Sequence, residues 1–219
     1  MLPCCRHIYR AWTLKYHRMS VFDLNEQNRH LDNKIVAGLE RLSQVFRTLL
    51  WEKAREQGLS PLQVQLLLFM QYHEESQNNV SYLAAEFSVT KPTISDAIKI
   101  LEQKKLIRKL SVSSDSRRYS MQLTAAGRKV VRDTENFTAP FSTWISQVKL
   151  PQKELIWKAI ADLIRTLNQT GVITVQRTCY TCRHNSIRNG MPFCNLLNEK
   201  LTQNNIRIDC PEYTPQEQV

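Results

Sequence analysis

Glycine is scarce in this chain, five residues in 219, and the five lie far apart. No glycine-rich loop that could cradle a phosphate is present, nor a Gly-x-Ser-x-Gly elbow or a His-Glu-x-x-His pair. Without any such constellation an enzyme is not expected. Long apolar runs are missing too: none approaches the roughly 20 residues that span a bilayer, so no membrane segment is expected. A hydrophobic share of 42% argues against disorder, and the low glycine count against a collagen-like chain. No secretory signal precedes the cysteines, which points to a cytoplasmic protein with reduced thiols. Acid is short as well, with 30 Lys and Arg against 20 Asp and Glu, a net +10.

The positive excess is uneven. Residues 91 to 132 hold eleven Lys or Arg against Asp96, Glu102 and Asp115, a net +8. Basic stripes are usually solvated helix faces, so the local grammar has to decide whether this one meets nucleic acid. Residues 81 to 124 read as two short helices joined by a turn of a few residues, then a basic hairpin and a cap. Ser81 can cap the first, which runs through Tyr82 and Phe87. Thr90 can cap the second, where Pro92 is tolerated because a first-turn N–H has no intrahelical partner. In the second helix Ile94, Ala97, Ile98 and Leu101 share one face, leaving Lys91, Thr93, Ser95, Asp96 and Lys99 outside.

After Ile107 the period changes to two. Arg108, Leu110 and Val112 alternate with Lys109 and Ser111, and Tyr119, Met121 and Leu123 with Ser120 and Gln122. The polar stretch Ser113-Ser114-Asp115-Ser116-Arg117-Arg118 between them cannot seed a core and reads as an exposed hairpin tip. Asp115 can orient that tip by bonding to its turn and pairing with an arginine, leaving Arg117 and Arg118 for phosphate or a minor groove. This is a helix-turn-helix with a wing. Asp115-x-Arg117 followed by Met121-x-Leu123-Thr124-x2-Gly127 resembles the Asp-x-Arg wing and Leu-Thr-x-x-Gly segment of MarR-family regulators, with Met121 where an aliphatic is usual. Ser60-Pro61-Leu62-Gln63, opening an apolar helix, is similar to the family's helix ahead of the DNA-binding pair. The resemblance covers about residues 25 to 171.

Residues 1 to 18 carry Arg6, Arg10, Lys15 and Arg18 without an acid and show no steady period. A basic arm, an organelle presequence and translation from upstream of a start at Met19 all fit; the last is favoured, and the segment is expected to be dispensable. Cys4 and Cys5 are adjacent, poor geometry for a mutual bond or joint ligation. From Asn25 to Glu56, Leu31, Ile35, Leu39, Leu42, Val45 or Phe46, and Leu49 recur at steps of three and four, predicting one helix of roughly 45 Å. Residues 61 to 72 are apolar nearly all round, as in a buried central helix. Thr124 can cap a helix that fades before Pro140. Leu150-Pro151 opens another, with Leu155, Ile156, Ile160, Leu163, Ile164 and Leu167, which stops at Gly171. The resemblance implies that the first and last long helices interlock in a two-fold dimer that reads a near-palindromic site.

Beyond Gly171 the pattern changes, and four of the six cysteines appear as Cys179-x2-Cys182-x11-Cys194-x15-Cys210. A Cys-x2-Cys with two further cysteines reads as a metal site rather than a disulfide pair. Zinc prefers two such knuckles, although four cysteines, or three with His184, could hold it. Iron-sulfur clusters accept one close pair and two distant thiolates, and the spacing resembles that of high-potential four-iron proteins. A [4Fe-4S] cluster is therefore favoured over Zn2+, with free thiols the remaining reading. His7, His17, His30 and His73 are single and read as surface or packing residues.

The expected protein is mainly α with a small β-hairpin wing: a dimeric, MarR-like winged helix-turn-helix with a Cys-rich C-terminal lobe. Its segments are an extension (1–18), a dimerisation helix (19–59), the DNA-binding domain (60–124), C-terminal dimerisation helices (125–171) and the metal-binding lobe (172–219). Its partners would be double-stranded DNA, a second copy and, by the resemblance, a small-molecule effector. Its function would be transcription regulation, most simply repression, tuned through the cysteine site. Two alternatives stand: a ligand-responsive repressor with a structural zinc, and a redox or electron-transfer protein that uses the winged domain only for docking.

Overall fold

The computed structural model describes residues 20–111, 119–173, 175–202 and 204–216. Residues 1 to 18, Val112 and the wing-tip residues Asp115, Arg117 and Arg118 lie outside them. The chain forms two compact units, Met1–Pro61 and Leu62–Val219. Among the described residues no helix is long and apolar enough to cross a membrane.

In the first unit the single helix expected from Asn25 is two. Helix α1, Leu24–Arg29, is capped by Asp23, whose carboxylate accepts from the Asn25 and Glu26 amides. His30 then adopts an extended conformation (φ −120°, ψ 127°) before α2, Leu31–Glu56. At 26 residues α2 is about 39 Å long at 1.5 Å per residue. Its expected stripe is present but bare: Leu31, Ile35, Val36, Leu39, Leu42, Val45 and Phe46 are all exposed.

The second unit is built on α3, Pro61–Tyr72, which buries Gln63, Val64, Leu66, Leu67, Phe69 and Met70. Helix α4, Val80–Glu86, starts one residue before Ser81, and its cap is Asn79, which accepts from the Tyr82 N–H at 3.0 Å. Helix α5, Lys91–Gln103, is capped by Thr90 and buries Ile94, Ala97, Ile98 and Leu101 as the spacing requires. Strands β1, Ile107–Ser111, and β2, Tyr119–Leu123, pair antiparallel with Ile107 opposite Leu123 and Lys109 opposite Met121. Opposed residues share a sheet face, so Leu110 lies on the face of Ser120 and not on that of Met121 and Leu123. Ser120 is buried, contrary to the alternation, because its hydroxyl donates to Glu75 at 2.9 Å and the Met121 N–H to the Asn78 carbonyl at 2.9 Å.

Thr124 caps α6, Ala125–Thr134. A helix not foreseen in the sequence, α7, Ala139–Gln147, places Pro140 in its first turn. It is followed by α8, Leu150–Gln169, which ends before Gly171 at φ +76°. Leu155, Ile160 and Leu163 on α8 and Trp144 on α7 are exposed. The C-terminal lobe carries a three-stranded antiparallel sheet of β3, Asn185–Arg188, β4, Met191–Cys194, and β5, Glu199–Lys200.

Candidate nucleic-acid interface and cysteine cavity

Because one face of α5 is consumed by the core, Lys91, Thr93, Ser95 and Lys99 are all solvent-exposed on the other. Thr93 and the cap Thr90 join hydroxyls at 2.8 Å, so Thr93 is held at the N-terminal turn. The wing beside this helix is stiffened across its strands. Arg108 Nε donates to Gln122 at 2.9 Å, Lys109 reaches Glu102 at 2.6 Å, and the Lys109 ammonium lies 5.1 Å from the Tyr119 ring centre. The wing root joins α6 through Thr124, whose N–H donates to the Leu106 carbonyl at 3.0 Å and whose hydroxyl lies 2.7 Å from the Lys105 carbonyl and 3.1 Å from that of Leu106. The same Thr124 oxygen accepts from the Gly127 N–H at 3.1 Å.

Two backbone pairings assemble the lobe's cysteines. A parallel bridge between Arg177 and Asp209, with the Cys210 N–H donating to the Arg177 carbonyl at 2.9 Å, brings Cys179 and Cys210 together. The β3–β4 hairpin sets Cys194 opposite Asn185, three residues past Cys182. All four free thiols line one cavity of about 270 Å³, with His184, Asn185, Arg207 and Glu212 also on its wall. Cys179 and Cys182 are buried, Cys194 and Cys210 partly so.

The thiols are supplied with donors. The Arg207 N–H donates to Cys179 Sγ at 3.3 Å, and its guanidinium lies 3.6 Å from Cys210 Sγ and 2.6 Å from Glu212. Burial pushes the Cys210 thiol up, and Arg207 works against that rise. Asn185 Oδ1 is buried without a partner among the described residues. Four thiolates around one zinc at 2.3 Å would sit ~3.8 Å apart and leave no cavity. Among the described residues no three His, Cys, Asp or Glu side chains converge as a single ion needs.

A cluster of charge around one buried guanidinium joins this lobe to the helix-turn-helix. The Arg177 side chain is 8% exposed. Its Nη1 donates to Tyr82 Oη at 2.7 Å and Glu86 Oε2 at 2.8 Å, and its Nη2 to Glu86 Oε1 at 3.3 Å and Asp209 Oδ2 at 2.9 Å. Nε donates to Asp209 Oδ1, so all five N–H groups are used. His73 Nε2 lies 2.8 Å from Asp209, and the imidazole stacks on Phe69 at 3.8 Å. Burial disfavours the guanidinium charge, but the two carboxylates more than offset it and hold the Arg177 pKa above its usual value. Burial likewise opposes the Asp209 charge, and Arg177 and His73 hold its pKa below the ordinary range.

Residues 57–118 match the model of the MarR family. That segment runs from α3 into the wing and so contains both helices of the helix-turn-helix. Among solved structures, the MepR–DNA complex of Staphylococcus aureus is 24% identical with a TM-score of 0.51 and covers 59% of this chain and 94% of that one. MepR in its DNA-binding conformation is 22% identical (TM-score 0.53; 61% and 98%). The transcriptional regulator PA3341 is 23% identical (TM-score 0.53; 62% and 98%). These likenesses show a shared fold. About two fifths of this chain has no counterpart in those proteins. No curated protein matches the chain.

The four exposed α5 residues therefore lie within the MarR-type segment, and the four cysteines share one cavity, whereas the wing-tip residues Asp115, Arg117 and Arg118 are not described. Sequence pattern alone assigns no role to Arg177, Glu86, Tyr82, Asp209 or Arg207, and His73 reads there as a surface or packing residue. The only signal for Arg177 or Asp209 was that each stands within two residues of a cysteine.

Proposed function

We propose that the chain is a sequence-specific, DNA-binding transcription regulator, acting as a homodimer, whose DNA affinity is set by a group held in the cysteine cavity. The observation that carries it is the exposed polar and basic face of α5, Lys91, Thr93, Ser95 and Lys99, inside a winged segment that matches the MarR family. Side chains of this kind at a helix N-terminus can enter a major groove, with lysines to phosphate or guanine and hydroxyls to base edges. MepR, of similar fold, has been solved on DNA. Repression is the simplest outcome of such binding.

The exposed apolar stripes of α2 and α8 support the second copy. Faces as apolar as these are costly to leave in water, and self-association covers them at once on both chains. The two helices also stand in the order in which MarR-like proteins interlock. A small-molecule effector is a further partner implied by the resemblance.

For the cavity, the favoured occupant is a [4Fe-4S] cluster, with Zn2+ as the alternative. Four thiols around an open space, with Arg207 donating to two of them, suit a bulky anionic group better than a lone ion. Cys179, Cys182, Cys194 and Cys210 would be its ligands. When bound, such a cluster supplies a redox couple whose potential depends on hydrogen bonds to sulfur and on exposure. An anaerobic absorption spectrum with iron, sulfide and zinc assays tests this: brown protein is expected, and colourless protein with one zinc per chain would replace the cluster by zinc.

DNA binding is tested by a shift assay with specific and scrambled duplexes over a range of salt. The specific duplex should bind ~10³-fold or more tightly, with log affinity falling linearly in log salt. No preference and no salt dependence would favour the docking-module alternative.

A further inference from the structure

Three segments distant in the chain meet at Arg177. The end of α3 contributes Phe69 and His73, α4 contributes Tyr82 and Glu86, and the lobe contributes Arg177 itself with Asp209. On the lobe side, Arg177 stands two residues before Cys179 and Asp209 immediately before Cys210, and the two are joined by a single parallel β-bridge. The backbone that carries the guanidinium and the carboxylate therefore also carries half of the cavity's thiols. On the other side Glu86 is the last residue of α4, and Tyr82 sits one turn back. Past Glu86 the chain turns tightly through Ser88, at φ +52°, into Thr90, the cap of α5. Phe87 in that turn meets the ring of Phe69 edge-on at 5.9 Å, and Phe69 also underlies the guanidinium at 5.6 Å.

We infer that Arg177 is a positioning residue through which the state of the cysteine cavity reaches the helix-turn-helix. Drawing Cys179 and Cys210 onto a shared group fixes the spacing of the Arg177 and Asp209 segments. With that spacing the guanidinium grips Glu86 and Tyr82 together, holding α4 and the turn into α5. A change of spacing cannot be absorbed gradually. A buried guanidinium that loses one carboxylate leaves charge uncompensated, so the cluster is either engaged or withdrawn as a unit. Such a two-state element, biased from both ends, is what coupling between sites requires. This route lies within one compact unit and does not pass through the α8 helix that leads into the lobe. The inference rests on the regulated DNA-binding reading, and its test is arranged so that the two fail separately.

The full chain and its Glu86→Gln variant are compared in two arms, with Tyr82→Phe as a milder second variant. The first arm is amide hydrogen exchange on metal-free protein. Glu86→Gln should speed exchange about tenfold on both sides of the contact, in residues 80–88 and in 207–210, with the β3–β4 hairpin unchanged. Acceleration confined to α4 in both variants overturns the inference, because the two sides are then not joined. The second arm measures DNA affinity before and after anaerobic reconstitution with ferrous iron and sulfide. The native chain should change affinity about tenfold, a usual size for coupling between sites. Glu86→Gln should fall to about one, with iron content and spectrum unchanged. A variant that keeps the full native ratio overturns the inference. Should the native chain bind DNA equally with and without iron, the regulated reading falls, and the first arm alone decides whether Arg177 joins the lobe to α4.

Discussion

Gly127 shows why the Leu-Thr-x-x-Gly pattern is needed. It lies on the first turn of α6, and a Cβ built there would stand 2.1 Å from the Leu106 carbonyl oxygen and 3.2 Å from Leu123. That carbonyl is held in place by the Thr124 amide, which donates to it at 3.0 Å at the root of the wing. Gly127→Ala should therefore destabilise by ~3 kcal/mol as an overpacked site, against a helix-propensity gain of only ~1 kcal/mol. Urea unfolding checks this, and a stabilised variant would refute the close approach. Thr124→Ala removes the α6 cap and should cost about 1 kcal/mol, with Thr124→Ser recovering most of it. Both positions were legible in the sequence as a motif, but the reason for the glycine was not, since the clash is with backbone 21 residues upstream.

At the scale of elements, the helix-turn-helix was readable because its signals are local. The Thr90 cap, the early Pro92 and the 3.6-residue period of Ile94 to Leu101 all act within one turn or two. The errors arose where a distant partner decided. Ser120 reads as an outward strand residue, yet Glu75 buries and satisfies it across 45 positions. The alternation within each strand gave no register, and the pairing sets Leu110 opposite Ser120. Ser81 and Asn79 are comparable caps, and only the geometry selects Asn79. For α5 the expected consequence is a division of labour. Lys91→Ala should weaken specific and scrambled duplexes alike and reduce the salt slope by about one. Thr93→Ala and Ser95→Ala should instead reduce the preference between the duplexes, leaving the slope unchanged. Equal effects on both duplexes from Ser95→Ala would remove it from the base-reading set.

On the scale of the whole molecule, the cysteine spacing pointed to four residues that share one cavity but not to what that cavity adjoins. Arg177 meets Tyr82 and Glu86 across more than 90 positions, and His73 meets Asp209 across 136. No periodicity or motif reports contacts of that separation. A direct contact between lobe and helix-turn-helix makes the coupling measurable from either end. If loading the cavity changes DNA affinity by some factor, linkage requires that DNA change the affinity of the cavity for its occupant by the same factor. The group should therefore leave the cavity at a different equilibrium when operator DNA is present. With iron-loaded protein and a chelator in competition, the shift in the retention midpoint on adding specific duplex should equal the shift in DNA affinity on adding iron. A scrambled duplex at the same concentration should give little shift, since it does not engage α5 in the same way. Unequal factors would mean that a third process, such as dimer dissociation, is linked to one of the two bindings. Repeating the pair of titrations at tenfold higher protein would identify that case, because only a dimer-linked term changes with protein concentration.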